Sequence, residues 1–200
     1  MVNEVNINKF MPKVVVALDK LLSKTDFDSL TVKAISEEMG ISRQYFYRAF
    51  SDKYALIVEL FEYDLKKGID IFFSPRHSHS QILTYILENK KIYKSILSSS
   101  YCKYFYDIMY HYGLEFIHAM TEMGMHSLSA EEENSIRLYF LGVTSLLARS
   151  IIGSEHFTKD ELDKILYDNI PGFLESLKGE TVTRDYIVYK ISKYRDANIY

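Results

Sequence analysis

Apolar residues recur at helical spacing along almost the whole chain, and this pattern predicts an all-α protein. A first run sets Val14, Ala17, Leu18, Leu21 and Leu22 on one face, the spacing of a core-facing helix that ends near Ser23–Asp28. Thr31 can cap a second, short helix carrying Ala34, Ile35 and Met39 inward, and Gly40 supplies the permissive backbone that ends it. Ser42 caps a third helix with Phe46 and Phe50 four residues apart, and Ser51 is the expected cap of a fourth running from about Asp52 to Phe72. Pro75–Ser80 reads as a loop, followed by two short helices at Gln81–Leu87 and Lys91–Leu97. A long helix from about Tyr101 to Met123 is apolar nearly all round, so it is expected at the centre of the core. Two capping boxes, Ser129-x-x-Glu132 and Thr158-x-x-Glu161, announce two further helices. Their stripes are Ile136, Tyr139, Phe140, Val143, Leu146, Leu147, Ile151 and then Leu162, Ile165, Leu166, Ile170, Phe173, Leu177, with Pro171 expected to kink the second helix. The tail, Thr181–Tyr200, mixes aromatic, β-branched and charged residues and fits either a last helix or a strand or arm.

Composition narrows the class. With 200 residues, 48% hydrophobic and 26% charged, the chain has the balance of a globular protein with a sizeable core, not of a disordered or fibrous one. One cysteine, Cys102, excludes an internal disulfide. Met1–Lys13 carries an acid and little apolar run, so no signal peptide is expected there. Apolar runs such as Val14–Leu18 fall far short of the ~18 residues of a membrane span, and a cytoplasmic protein without a membrane segment is expected. The net charge is −3, so no overall basic excess announces a nucleic-acid partner. The distribution says more. Between Glu38 and Asp52 there is no acid, while Arg43 and Arg48 stand among Gln44, Tyr45 and Tyr47.

A short helix, a Gly-containing turn and a second short helix closing on aromatics is the grammar of a helix-turn-helix, whose second helix enters the DNA major groove. Helical spacing turns Phe46 and Phe50 inward and leaves Arg43, Gln44, Tyr47 and Arg48 on or near the outward face. Arg can make two hydrogen bonds to guanine, Gln two to adenine, and Tyr can reach a phosphate or a thymine methyl. Lys53, beside the N-terminal N–H groups of the fourth helix, would hold a phosphate, as Thr31 could at the second. Any three-helix bundle shows such spacing, however, and a basic aromatic helix is often only a solvated face.

The run from Leu30 to Lys53, LTVKAISEEMGISRQYFYRAFSDK, closely resembles the TetR/AcrR family of bacterial transcriptional regulators, over about residues 10–60. That resemblance implies an N-terminal three-helix DNA-binding domain, residues 1–54, and a C-terminal helical domain for ligand binding and dimerisation, residues 55–200. It further implies a homodimer whose paired helices read a palindromic double-stranded operator, under control of a small-molecule effector. By position, the family's usual DNA contacts fall on Thr31, Val32, Ser42, Arg43, Gln44, Tyr45, Tyr47 and Lys53, with Arg48 added. Gln44 and Tyr45 stand where many members carry small residues, and Ala49 where an aromatic often precedes Phe50, so an operator sequence does not carry over. The wording Arg43-Gln44-x-Phe46-Tyr47 is similar to a subgroup that includes regulators of dihydroxyacetone kinase genes.

In the C-terminal half, the Met and aromatic residues of the long helix suit either an ordinary core or an adaptable apolar pocket. Phe105, Met109, Phe116 and Phe140 are the residues expected to border a cavity for the effector. On another face, Asp107, His111, Glu115, His118 and Glu122 recur at helical spacing. Such groups could meet a metal, but a solvated polar stripe explains the spacing equally well, and without a completing second cluster no metal or other cofactor is expected. His77, His79 and Cys102 offer weaker signals still. The wide stripes of the two capped helices, with Gly142 and Ser145 permitting close approach, predict dimerisation through Ile136–Ile151 and Leu162–Leu177. No phosphate-cradling loop, metal signature or nucleophile–base motif points to an enzyme. The reading is of a DNA-binding repressor, with a partner-binding module or co-activator of the same fold as the alternative.

Overall fold

The computed structural model describes residues 7–72, 84–176 and 183–198, and every regular element among them is a helix. The first is α1 (Ile7–Leu21), followed by α2 (Val32–Glu38), α3 (Arg43–Ala49) and α4 (Lys53–Phe72). The second half holds α5 (Thr84–Glu88), α6 (Lys90–Leu97), α7 (Cys102–Met123), α8 (Ala130–Ile152), α9 (Lys159–Asp168), α10 (Phe173–Ser176) and α11 (Arg184–Asn198). The expected loop at Pro75–Ser80 lies outside the described residues.

Local chemistry sets the boundaries of the first helices. Thr31 Oγ1 accepts from Ala34 N at 3.1 Å and starts α2. Gly40, at φ +68°, ends it in the left-handed region, so that the N–H groups of Gly40 and Ile41 reach back to the carbonyls of Glu37 and Ser36. Ser42 Oγ accepts from Tyr45 N at 3.1 Å and starts α3. The cap of α4 differs from expectation. Asp52 Oδ1, not Ser51, accepts from Ala55 N at 2.8 Å, and a carboxylate there also answers the positive end of the helix dipole. The first helix runs from Ile7, ahead of the apolar face that begins at Val14, and Phe10 and Met11 join Val14, Ala17 and Leu18 in the core.

Buried Phe27, Leu30, Ile35, Phe46 and Phe50 close the N-terminal unit, and Leu56, Leu60 and Phe61 carry its core along α4 into the rest of the molecule. There Phe61, Tyr93 and Phe105 form an aromatic knot, with ring centroids 4.7 and 5.1 Å apart on either side of Phe61. Such rings add a small geometric preference to a large burial. The long helix α7 lies between α8, α6 and α11. At its closest approach to α8, the half-buried Phe140 ring covers Gly113, where a Cβ would stand no farther than 2.8 Å from three ring atoms.

Both capping boxes are present, Ser129 with Glu132 and Thr158 with Glu161. Two other expectations need correction. Pro171 does not kink a continuous helix: α9 stops at Asp168 and α10 starts at Phe173, because a residue before proline avoids the α region and Gly172 follows. Also, α8 is long and apolar enough, by length and composition, to cross a membrane, where no such stretch was expected. It opens on Glu131, Glu132 and Glu133 and packs against α6 and α7, as a core helix does. The tail is resolved as helix, α11, lying along α7 and reaching α4.

Candidate nucleic-acid interface

The short helix α3 divides its residues cleanly. Phe46 and Phe50 are fully buried with their rings tilted against each other, centroids 5.2 Å apart, and this fixes the rotation of the helix on the domain. Ser42, Arg43, Gln44, Tyr45, Tyr47 and Arg48 are all exposed. Tyr45 leans on Phe10 of α1, ring centroids 5.5 Å apart, and Tyr47 stands edge-on to Phe46 at 5.7 Å. Arg43 and Arg48 have no carboxylate partner among the described residues, so both guanidinium groups face water. Thr31 is exposed at the start of α2, with Val32 half-buried beside it. The hydroxyls of Thr31 and Ser42 are each spent as acceptors on a helix cap, and each keeps its O–H to donate. Two exposed N-termini and one acid-free helix thus share a face that suits a polyanion.

Lys53 is placed otherwise than the phosphate-holding role expected of it. Its ammonium donates to the carbonyl oxygens of Phe27 and Asp28, both at 3.0 Å, and lies 5.3 and 5.1 Å from the ring centroids of Phe27 and Tyr101. Burial lowers its pKa below the ordinary lysine value, against the opposing pull of Asp28 and Asp26. Asp28 in turn accepts from Ser100, N–H at 3.0 Å and Oγ at 2.6 Å. The loop before α2 is therefore stitched to the start of α4 on one side and to the α6–α7 turn on the other. Sequence reasoning missed this junction, since nothing in the spacing of Asp28 and Ser100 brings them together.

Phe105 is fully buried against Phe61 and Tyr93, Phe116 is buried, Met109 is half-buried, and Phe140 packs on Gly113. An open groove of about 690 Å³ lies between α8 and the α9–α10 stretch, lined by Leu138, Tyr139, Val143, Leu146, Leu166 and Phe173 among others, and none of those four residues lines it. The polar stripe of α7 is part solvated, with Asp107 and Glu122 exposed, and part engaged with neighbouring helices. His118 Nε2 lies 3.1 Å from Glu133 Oε2 of α8, His111 stacks on Tyr194 of α11 at 5.3 Å, and Glu122 accepts from Lys190 and Tyr186 of α11. Those two bonds, Lys190 first, lower the Glu122 pKa. Among the described residues, no three His, Cys, Asp or Glu side chains converge as metal ligands would. Cys102 is half-buried at the start of α7, and His77 and His79 lie outside the described residues.

The family described as bacterial regulatory proteins, tetR family, matches residues 15–60, from α1 through the first part of α4. Residues 15–60 thus carry the N-terminal domain of the tetR-family regulators. The matched stretch takes in α3 with its exposed side chains. A solved structure titled dihydroxyacetone kinase operon activator DhaS superposes with a TM-score of 0.54 over 84% of this chain and 96% of that one. At 19% identity the two share a fold. No curated protein sequence matches.

Proposed function

We propose that this tetR-family protein is a homodimeric repressor that reads a palindromic operator and is released from it by a small-molecule effector. The observation that carries the reading is the face of α3: Arg43, Gln44, Tyr45, Tyr47 and Arg48 exposed together, with no acid between Glu38 and Asp52, on a helix anchored by Phe46 and Phe50. Arg43 and Gln44, in the first turn after the Ser42 cap, are assigned to base edges. Thr31, Val32, Ser42, Tyr45, Tyr47 and Arg48 are assigned to backbone or flanking contacts, and Lys53 to the loop that it binds. Residues 1–54 form the DNA-binding domain and residues 55–200 the effector and dimerisation domain, working without catalysis in the cytoplasm.

The dimer is assigned to α8 and α9. Leu138, which lines the open groove, and Leu141 of α8 are 71% and 55% exposed, and Ile152 of α8 and Tyr167 of α9 are exposed as well. Large apolar side chains in such a row favour cover by a partner. A second copy of the same face would supply it symmetrically.

A second reading, a co-activator or partner-binding module that does not bind DNA specifically, is favoured by one observation: the Lys53 ammonium is turned inward. The neighbour named as an operon activator leaves the sign of regulation open to the same test. Purified dimer is used to select bound fragments from the source genome at two salt concentrations. Enrichment of one palindrome, weakening steeply with salt, supports the repressor reading; no enrichment at low salt by a folded dimer overturns it in favour of the partner-binding module.

A further inference from the structure

Two carboxylates of α4, Glu59 and Glu62, are buried, although they belong to the helix that follows the recognition helix after only Phe50, Ser51 and Asp52. Their partners come from the far end of the chain. Arg195 of α11 reaches Glu62 Oε2 at 2.8 Å and Glu59 Oε1 at 3.2 Å, and Ser192 donates to Glu62 Oε1 at 3.1 Å. Lys66, on α4 itself, adds an ion pair to Glu62. Earlier in α11, Lys190 and Tyr186 hold Glu122 of α7 at 2.7 and 2.6 Å, and Tyr194 stacks on His111. Among the described side chains of α11, the fully buried ones are Ile187 and Ile191. Up to Ile191 the helix is thus fastened by apolar burial as well, with Tyr186 and Val188 packed on the core, whereas beyond Ile191 it is Ser192 and Arg195 that reach α4.

That mode of attachment has a physical consequence. A helix held by apolar burial exposes hydrocarbon when it leaves, whereas Glu59, Glu62 and Arg195 regain the hydration that burial took from them. Their mutual attraction and the lost hydration oppose each other, so the attached and detached positions of the last turns of α11, beyond the buried Ile191, lie close in free energy. Glu59 follows Lys53 by six residues, a rise of about 9 Å along α4. The grip of Arg195 therefore falls on the part of α4 nearest to α3.

We propose that the last turns of α11, from Ser192 onward, are a releasable strap on α4, with Arg195 as its positioning residue, and that the strapped state holds the helix-turn-helix at a fixed angle to the rest of the chain. The proposal deepens the DNA-binding reading by naming the element that regulates it, and it rests on that reading only where DNA is the readout.

Amide hydrogen exchange of the full-length protein, mapped by peptide, tests the strap without DNA. Arg195→Gln is expected to speed exchange in α11 and also, at least tenfold, in the first half of α4, and to weaken binding to the selected operator at least threefold. Arg195→Lys, which keeps the charge, is expected to restore most of both. Acceleration confined to α11, with α4 unchanged, overturns the proposal, since α11 would then be only a packed terminus. Should Arg195→Gln fail to fold, Ser192→Ala removes one bond to Glu62, and faster exchange in the same α4 peptides supports the strap while unchanged α4 exchange overturns it. If the wild-type protein selects no DNA, the repressor reading falls, and the α4 exchange of the same variants still decides the strap.

Discussion

Replacing Lys53 by Met separates two roles that the same residue could play in a DNA-binding domain. In the folded chain its ammonium makes two charge-assisted bonds, to the carbonyls of Phe27 and Asp28, and spans the rings of Phe27 and Tyr101. A hydrogen bond to a charged group contributes roughly 1.5–3 kcal/mol when desolvated. Lys53 is only half-buried, and water can rehydrate both carbonyls in the variant, so the pair is discounted to about 1–2 kcal/mol in total. Met keeps most of the hydrocarbon that covers the two rings, so packing changes little. Urea denaturation of Lys53→Met should therefore show a loss of about 1–2 kcal/mol with an unchanged slope. Salt dependence gives the other half. Each phosphate neutralised on double-stranded DNA contributes about 0.9 to the slope of log affinity against log salt. A lysine spent on the loop leaves that slope unchanged on substitution, whereas a phosphate ligand lowers it by about one. Unchanged stability together with a slope lower by about one would refute the structural role derived for Lys53.

Other consequences follow from single features of the structure. Gly113→Ala gains about 1 kcal/mol of helix propensity, but the new Cβ drives into the Phe140 ring, for which about 1–3 kcal/mol or more of overpacking is expected; net destabilisation by chemical denaturation, relieved in the double variant with Phe140→Leu, checks this. Gln44→Ala should relax base preference at one operator position by roughly 1–3 kcal/mol while leaving the salt slope alone, and an unaltered preference in fragment selection removes Gln44 from the base contacts. Leu138→Asp with Leu141→Asp should give monomers at micromolar concentration in sedimentation velocity, if those exposed leucines meet a second copy. Burial raises the pKa of Asp64 above 3.8 in spite of the bonds from Asn89 and Tyr93. The folded state therefore holds this proton more tightly than the unfolded one, and its contribution to stability is present below 3.8 and lost as pH rises through the folded pKa. Asp64→Asn should remove that falling segment from a stability–pH profile, and an identical profile in the variant would count against a burial-raised Asp64.

What the sequence reveals here follows from the range over which each interaction acts. Thr31, Ser42, Ser129 and Thr158 each bond to a backbone N–H three residues away, and such contacts leave their mark in the linear sequence, which is why the helix starts at α2, α3, α8 and α9 are legible. The outward face of α3 is legible for the same reason, since Phe46 and Phe50 fix its rotation within one turn and a half. Polar residues at helical spacing carry no such information about their partners. The stripe from Asp107 to Glu122 reads equally as water-facing or metal-binding, and the structure leaves Asp107 exposed, stacks His111 on Tyr194, bonds the exposed Glu122 to Lys190 and pairs His118 with Glu133. Lys53 is a sharper case, because its position relative to α3 matches a phosphate contact and only the fold of the loop at Phe27 and Asp28 turns its ammonium inward. Glu59 and Glu62 did leave a sign in the sequence: two acids three residues apart, in a helix otherwise rich in buried Leu, Ile, Val and Phe, call for a cation from elsewhere. Which cation supplies it depends on a contact across more than 130 positions, between α4 and Arg195, and that part of the molecule is written in tertiary structure alone.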